Sequence, residues 1–199
     1  TVFFLSLIGF FLMHKRWRFI LLSSIIVSLL ISWGKHLPQF TQFLIDYVPY
    51  YNKFRAVSSA QVILELCFPL AAVMGMIGLM DTSNSSRLNA LNRSLLLVMG
   101  LLGLVWIAAV SVFDYQSNFE IFSAYPEILN PLMEDRKTML LNDLLRAVGF
   151  IVVIYAVCRL AFLDNKKQYV IPIVALVMLI DLWSFGRNYV NSDDFANKS

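Results

Sequence analysis

Long apolar runs alternate along this chain with short polar connections. The runs cover residues 2–13, 19–33, 60–80, 94–113, 144–162 and 169–185. A bilayer core of ~30 Å takes about 20 mostly apolar residues as helix, because lipid cannot satisfy free backbone groups. The spacing therefore predicts an all-α fold, a polytopic integral membrane helix bundle with about six transmembrane helices over residues 1–185. The first run is clipped, and the second is short but extendable at both ends.

The connections alternate in character. Residues 14–18, 81–93 and 163–168 are short and hold seven Lys and Arg between them. Residues 34–59, 114–143 and the tail from 186 also hold seven, spread over roughly three times the length. Basic density in short loops sets orientation, so the short loops are expected in the cytoplasm. The tail 186–199 then begins an extracytoplasmic domain. Within 34–59, Phe40, Phe43, Leu44 and Tyr47 recur at three- and four-residue spacing. That pattern predicts a short amphipathic helix lying on the membrane, ended by Pro49. Ala71 and Gly75 on the third run, and Gly100 and Gly103 on the fourth, are small enough to let helix backbones approach in lipid.

Composition agrees. The chain of 199 residues is 59% hydrophobic and 15% charged, with a mean hydropathy of +0.70. Soluble domains run about 45–50% apolar and about 25% charged. Disorder, a collagen-like repeat and a disulfide scaffold are excluded. A net charge of +3 is too small for a phosphate-tracking surface, so no nucleic-acid partner is expected. The chain opens at Thr1 inside an apolar run and closes in a polar stretch. It is therefore expected to be an internal piece of a longer polytopic protein.

Chemistry has few places to sit. No P-loop, GxGxxG, HExxH or CxxC occurs. Cys67 and Cys158 stand singly in apolar runs as small packing residues. His14 and His36 lack a second ligand at metal spacing, so no metal site and no resident cofactor are expected. Charges within the spans are more informative, since ionisable groups in lipid are costly and face a cavity or a partner. Glu65, Arg146 and Asp181 lie on three different runs, each within roughly 10 Å of the outer interface at ~1.5 Å per helical residue. Two readings stand: a polar cavity open to the outside, or a structural ion pair of Arg146 with one of the acids. Arg159, at the inner end of the fifth run, reads as a snorkelling anchor. The segment from Tyr50 to Arg55 interleaves aromatics with Lys53 and Arg55 at headgroup depth. Those cations suit a lipid phosphate, with Arg55 offering a bidentate fork, or an ordinary aromatic belt.

Two elements carry a resemblance. One is the run Pro49, Tyr50, Tyr51, Asn52, Lys53, Phe54, Arg55. The other is Asp181, Leu182, Trp183 closing the sixth run, followed by Arg187, Asn188, Tyr189, Val190, Asn191, Asp194 and Phe195. Together they resemble the YfhO-like family of bacterial membrane proteins, over about residues 49–195, with the specific motifs at the two ends. That family looks like the C-type membrane glycosyltransferases, which take a sugar from a polyprenyl-phosphate carrier. The resemblance implies a multi-pass protein of the bacterial cytoplasmic membrane that glycosylates cell-envelope polymers at the outer face. By it, a polyprenyl-phosphate sugar is the donor and an envelope polymer the acceptor. Lys53 and Arg55 would neutralise the carrier phosphate, while Glu65 and Asp181 shape the cavity. The catalytic acid of such enzymes lies in a first outer loop upstream, so no catalytic residue is assigned here. A transporter or lipid flippase using the same charged cavity, and a non-catalytic assembly subunit, are the alternatives.

Overall fold

A computed structural model describes residues 1–51, 57–81, 84–115, 126–163 and 167–187. The described residues are all helical apart from turns and contain no strand. Seven α-helices follow in order: α1 (Val2–Leu12), α2 (Lys15–Ser32), α3 (Pro38–Tyr47), α4 (Gln61–Asp81), α5 (Asn84–Ser111), α6 (Pro126–Leu163) and α7 (Val170–Arg187). They form two compact units, one over residues 2–90 and the other over 91–199 together with Thr1. The boundary falls inside α5.

All six apolar runs are helical, but only three of the helices have the length and apolarity to cross a bilayer. These are α4, residues 85–111 of α5 and residues 129–162 of α6. The expectation of six spans is corrected by helix length and charge. At ~1.5 Å per residue, the 11 residues of α1 reach about 16 Å, roughly half a bilayer. The first turn of α2 is spent on Lys15, Arg16 and Arg18. The apolar part of α7 is Val170–Ser184. Less than a third of each long span is covered by protein. Leu66, Leu96, Leu104, Ile107 and Leu160 stand exposed. Such a surface is unstable in water and suits hydrocarbon.

Two helices begin earlier than the apolar pattern indicates. α5 starts ten residues ahead of Ser94, through a stretch of Asn, Ser and Arg. α6 starts at Pro126, so much of the expected loop 114–143 is helix. Pro at the first helical position sacrifices no hydrogen bond. Leu132, Met133 and Glu134 are good helix formers that carry the helix past the internal Pro131, and Thr138 Oγ1 donates 2.8 Å back to the Glu134 carbonyl. Polarity gave that segment away as outside lipid but said nothing against helix.

Within residues 2–90, α1 and α4 pack closely and in parallel. Phe3 meets Phe68 edge-on at 5.5 Å, Gly9 lies against Ala71 and Gly75, and Leu12 lies against Gly78. A Cβ on Gly75 would come within 2.7 Å of both the Gly9 nitrogen and the Leu5 carbonyl oxygen. Only glycine permits that approach. α2 returns along α4: Met13, Leu21 and Ile25 pack with Cys67 and Ala71, flanked by Phe10, Leu64, Phe68 and Met74. Ser28 Oγ donates 2.6 Å to the Ala60 carbonyl. At the α1–α2 corner, His14 Nδ1 accepts from the Arg16 amide at 3.3 Å. Arg18 donates to the free carbonyls of Phe11 (3.1 Å) and Met13 (3.3 Å), closing the C-terminus of α1.

α3 matches the amphipathic helix expected over Phe40–Tyr47. Gly34, at φ 43°, turns the chain out of α2. Pro38 then opens the helix, and Val48 leaves it in extended conformation just before Pro49. None of its residues is buried. Phe43 stacks between Phe40 at 6.5 Å and Tyr47 at 5.0 Å, a stripe down one side.

In the unit over 91–199, Leu144, Ile151, Ile154, Cys158 and Phe162 line one face of α6, while Val170 and Val174 are buried on α7. Gly100 and Gly103, expected to bring helices together, have nothing within 4 Å of where a Cβ would stand. Residues 188–199, including the expected start of the extracytoplasmic domain, lie outside the described residues.

Candidate functional site: an ion pair between α6 and α7

Arg146 lies two residues past Leu144, at the start of the apolar half of α6. Asp181 lies six residues before the end of α7. α6 and α7 pack against each other, and this brings the two charges to the same end of the pair. Arg146 Nη2 stands 3.6 Å from Asp181 Oδ1, with the side chains 27% and 15% exposed. A charge-assisted hydrogen bond would be about 2.7–2.9 Å, so the contact is coulombic. The other carboxylate oxygen, Oδ2, accepts from Thr1 Oγ1 at 2.8 Å. Ser184 Oγ donates to the Asp181 main-chain carbonyl at 3.1 Å, which leaves the carboxylate to those two partners.

Helix geometry explains why the sequence puts them there. Pro172 falls in the first turn of α7, where its missing N–H costs nothing. The helix then runs uninterrupted to Asp181. An arginine or an aspartate alone on an apolar helix costs about 2.5–3.5 kcal/mol to insert at the bilayer centre. Pairing and partial exposure both reduce that cost. The arrangement can do two things chemically. Arg146 can place a positive charge at this edge of the helix pair, and Asp181 can balance it and hold the guanidinium in place.

The remaining expected site residues fall elsewhere. Glu65 is exposed on α4, in the unit over 2–90. Four residues on, Pro69 sits inside the helix and offers no N–H to the Glu65 carbonyl. Lys53 and Arg55 lie outside the described residues. Among the described residues, no group of three His, Cys, Asp or Glu could hold a metal ion. Cys67 and Cys158 are free thiols and buried.

A second polar cluster escaped the sequence reading. Tyr155 donates 2.7 Å across to Asn92 Oδ1, and Arg159 Nη1 donates 2.6 Å to the same Tyr155 hydroxyl. The guanidinium also lies 5.9 Å from the Tyr155 ring centroid. Arg159 is thus an anchor held by its own helix one turn back. The i, i+4 spacing of Tyr155 and Arg159 was the available signal; the α5 partner, Asn92, left none. Arg87, near the start of α5, is fully buried and reaches the Met80 carbonyl at 3.5 Å.

Compared with known proteins, the chain matches no family model, no curated protein and no solved structure.

Proposed function

We propose that this chain is part of the membrane region of a multi-pass protein of the bacterial cytoplasmic membrane. We further propose that it serves a polyprenyl-phosphate-sugar-dependent glycosyltransferase acting on cell-envelope polymers at the outer face. The observation that carries the reading is the Arg146–Asp181 pair. Ionised groups are kept at the edge of apolar helices where they interact with something polar, and this pair remains partly open. A cation there suits an anionic carrier by its charge. The resemblance of residues 49–55 and 181–195 to the YfhO-like proteins supplies the substrate class. In this reading Lys53 and Arg55 neutralise the carrier phosphate, as the resemblance implies, and Asp181 shapes a polar cavity beside Arg146.

The test uses the full-length protein in proteoliposomes with a polyprenyl-phosphate-linked sugar and an envelope polymer. The expected result is sugar transfer, abolished by Arg55→Ala and weakened by Arg146→Ala, with membrane insertion unchanged in both. Transfer unaffected by Arg55→Ala refutes the phosphate role. Movement of the carrier lipid across the membrane with no transfer refutes the enzyme and leaves a flippase.

A further inference from the structure

The exposed face of α2 carries a groove of about 370 Å³ lined by Lys15, Arg18, Phe19, Leu22, Ser23 and Ile26. We propose that this groove binds one anionic diacyl phospholipid, its phosphate between Lys15 and Arg18 and an acyl chain along Phe19, Leu22 and Ile26. The inference rests on the membrane-embedded reading of α2 and is independent of the glycosyltransferase.

The lining residues fall at the spacings of a single helix face, so the aliphatic stems of Lys15 and Arg18 continue the apolar side chains and their charged ends lie beyond the groove. From Arg18 to Ile26 the groove runs about 12 Å at ~1.5 Å per residue. Ser23 does not make it polar, because its hydroxyl is spent on the Ile20 carbonyl at 2.9 Å. A polar or peptide partner would find nothing to bond below the first turn; a hydrocarbon chain needs nothing there.

The upper end calls for an anion. No acidic residue precedes Asp46 in the chain, while Lys15, Arg16 and Arg18 crowd one turn. Among the described residues no carboxylate lies within ion-pair distance of them. Arg18 is held rigidly by its bonds to Phe11 and Met13. Its Nε–H, buried, has no acceptor among the described residues. A guanidinium fixed in place by two carbonyls, beside the exposed Lys15, holds positive charge ready for an anionic headgroup.

Trp17, half exposed beside the groove, reports occupancy. With Trp33, Trp106 and Trp183 changed to Phe, the full chain is reconstituted with brominated phosphatidylglycerol or brominated phosphatidylcholine and Trp17 quenching is followed. Half-quenching is expected at a mole fraction about five- to thirtyfold lower for phosphatidylglycerol, as one or two cations near a lipid phosphate supply. Lys15→Gln should cut that preference about fivefold, while Arg16→Gln, off the groove, should leave most of it. Ser23→Phe, which fills the groove, should abolish it. Equal quenching by the two lipids overturns the proposal, as does an equal loss in Lys15→Gln and Arg16→Gln, which would indicate net charge alone. Loss of the preference in millimolar inorganic phosphate also overturns it, by showing a free-anion site. Absence of Trp17 quenching by either lipid overturns the membrane reading itself.

Discussion

Replacing Gly75 with Ala adds one methyl group where α1 and α4 touch. That methyl would sit 2.7 Å from the Gly9 nitrogen and from the Leu5 carbonyl oxygen, and 3.0 Å from the Gly9 Cα. All three are backbone atoms, so no side chain can swing aside. Ordinary contact begins near 3.4 Å, so α1 must retreat by about 0.7 Å, and a gap of ~0.5–1 Å forfeits a quarter to a half of each dispersion contact. Phe4, Leu5 and Ile8, fully buried in α1, are the side chains that lose it. Overpacking of this kind costs about 1–3 kcal/mol, against which the better helix propensity of Ala returns up to ~1 kcal/mol. A net loss of up to about 2 kcal/mol in unfolding free energy is expected, measured by titrating the protein from mild detergent into dodecyl sulfate. Gly100→Ala is the internal control. Nothing lies near its Cβ position, so the propensity gain of up to ~1 kcal/mol should appear undiminished. If Gly75→Ala proves no more destabilising than Gly100→Ala, the close approach of α1 and α4 is refuted.

Two further outcomes are expected. A double-mutant cycle on Arg146→Leu and Asp181→Leu should give a favourable coupling of about 0.6–1.7 kcal/mol in the same titration, the range for polar pairs between membrane helices; strictly additive losses would mean the two charges do not interact. Cys67 and Cys158, buried at 5% and 0% exposure, should resist a water-soluble maleimide in the folded protein and react fully once it is denatured. Rapid labelling of either in the native state would contradict its packing.

Apolar periodicity was enough to locate every long helix core, because in lipid the backbone leaves helix as the main solution for such runs. It failed at the ends. Polarity marks where a helix leaves hydrocarbon, not where it stops, and so α6 continues to Pro126 and α5 to Asn84. Span number failed for a related reason: an apolar run such as 2–13 shows no length beyond its own. Small residues misled by half. Ala71 and Gly75 sit in the tightest contact among the described residues of α4, whereas Gly100 and Gly103 have open space, and a glycine in sequence does not say which face a neighbour takes. At the ion pair, the placement of Arg146 and Asp181 on apolar helices was legible from their position in the runs. The partner of each was not, since it depends on which helices are adjacent. The Tyr155–Asn92 bond was hidden for the same reason: Asn92 reads as an ordinary polar residue until α6 is laid beside it.

The parallel packing of α1 with α4 also bears on how the protein is made. The two helices run in the same direction, and α2 and α3 are made before α4 emerges. At about 5–20 residues per second, the ribosome needs roughly 3–13 s to travel from Gly9 to Gly75. Throughout that interval the glycine face of α1 waits for its α4 partner. A pause in translation between these helices lengthens that wait.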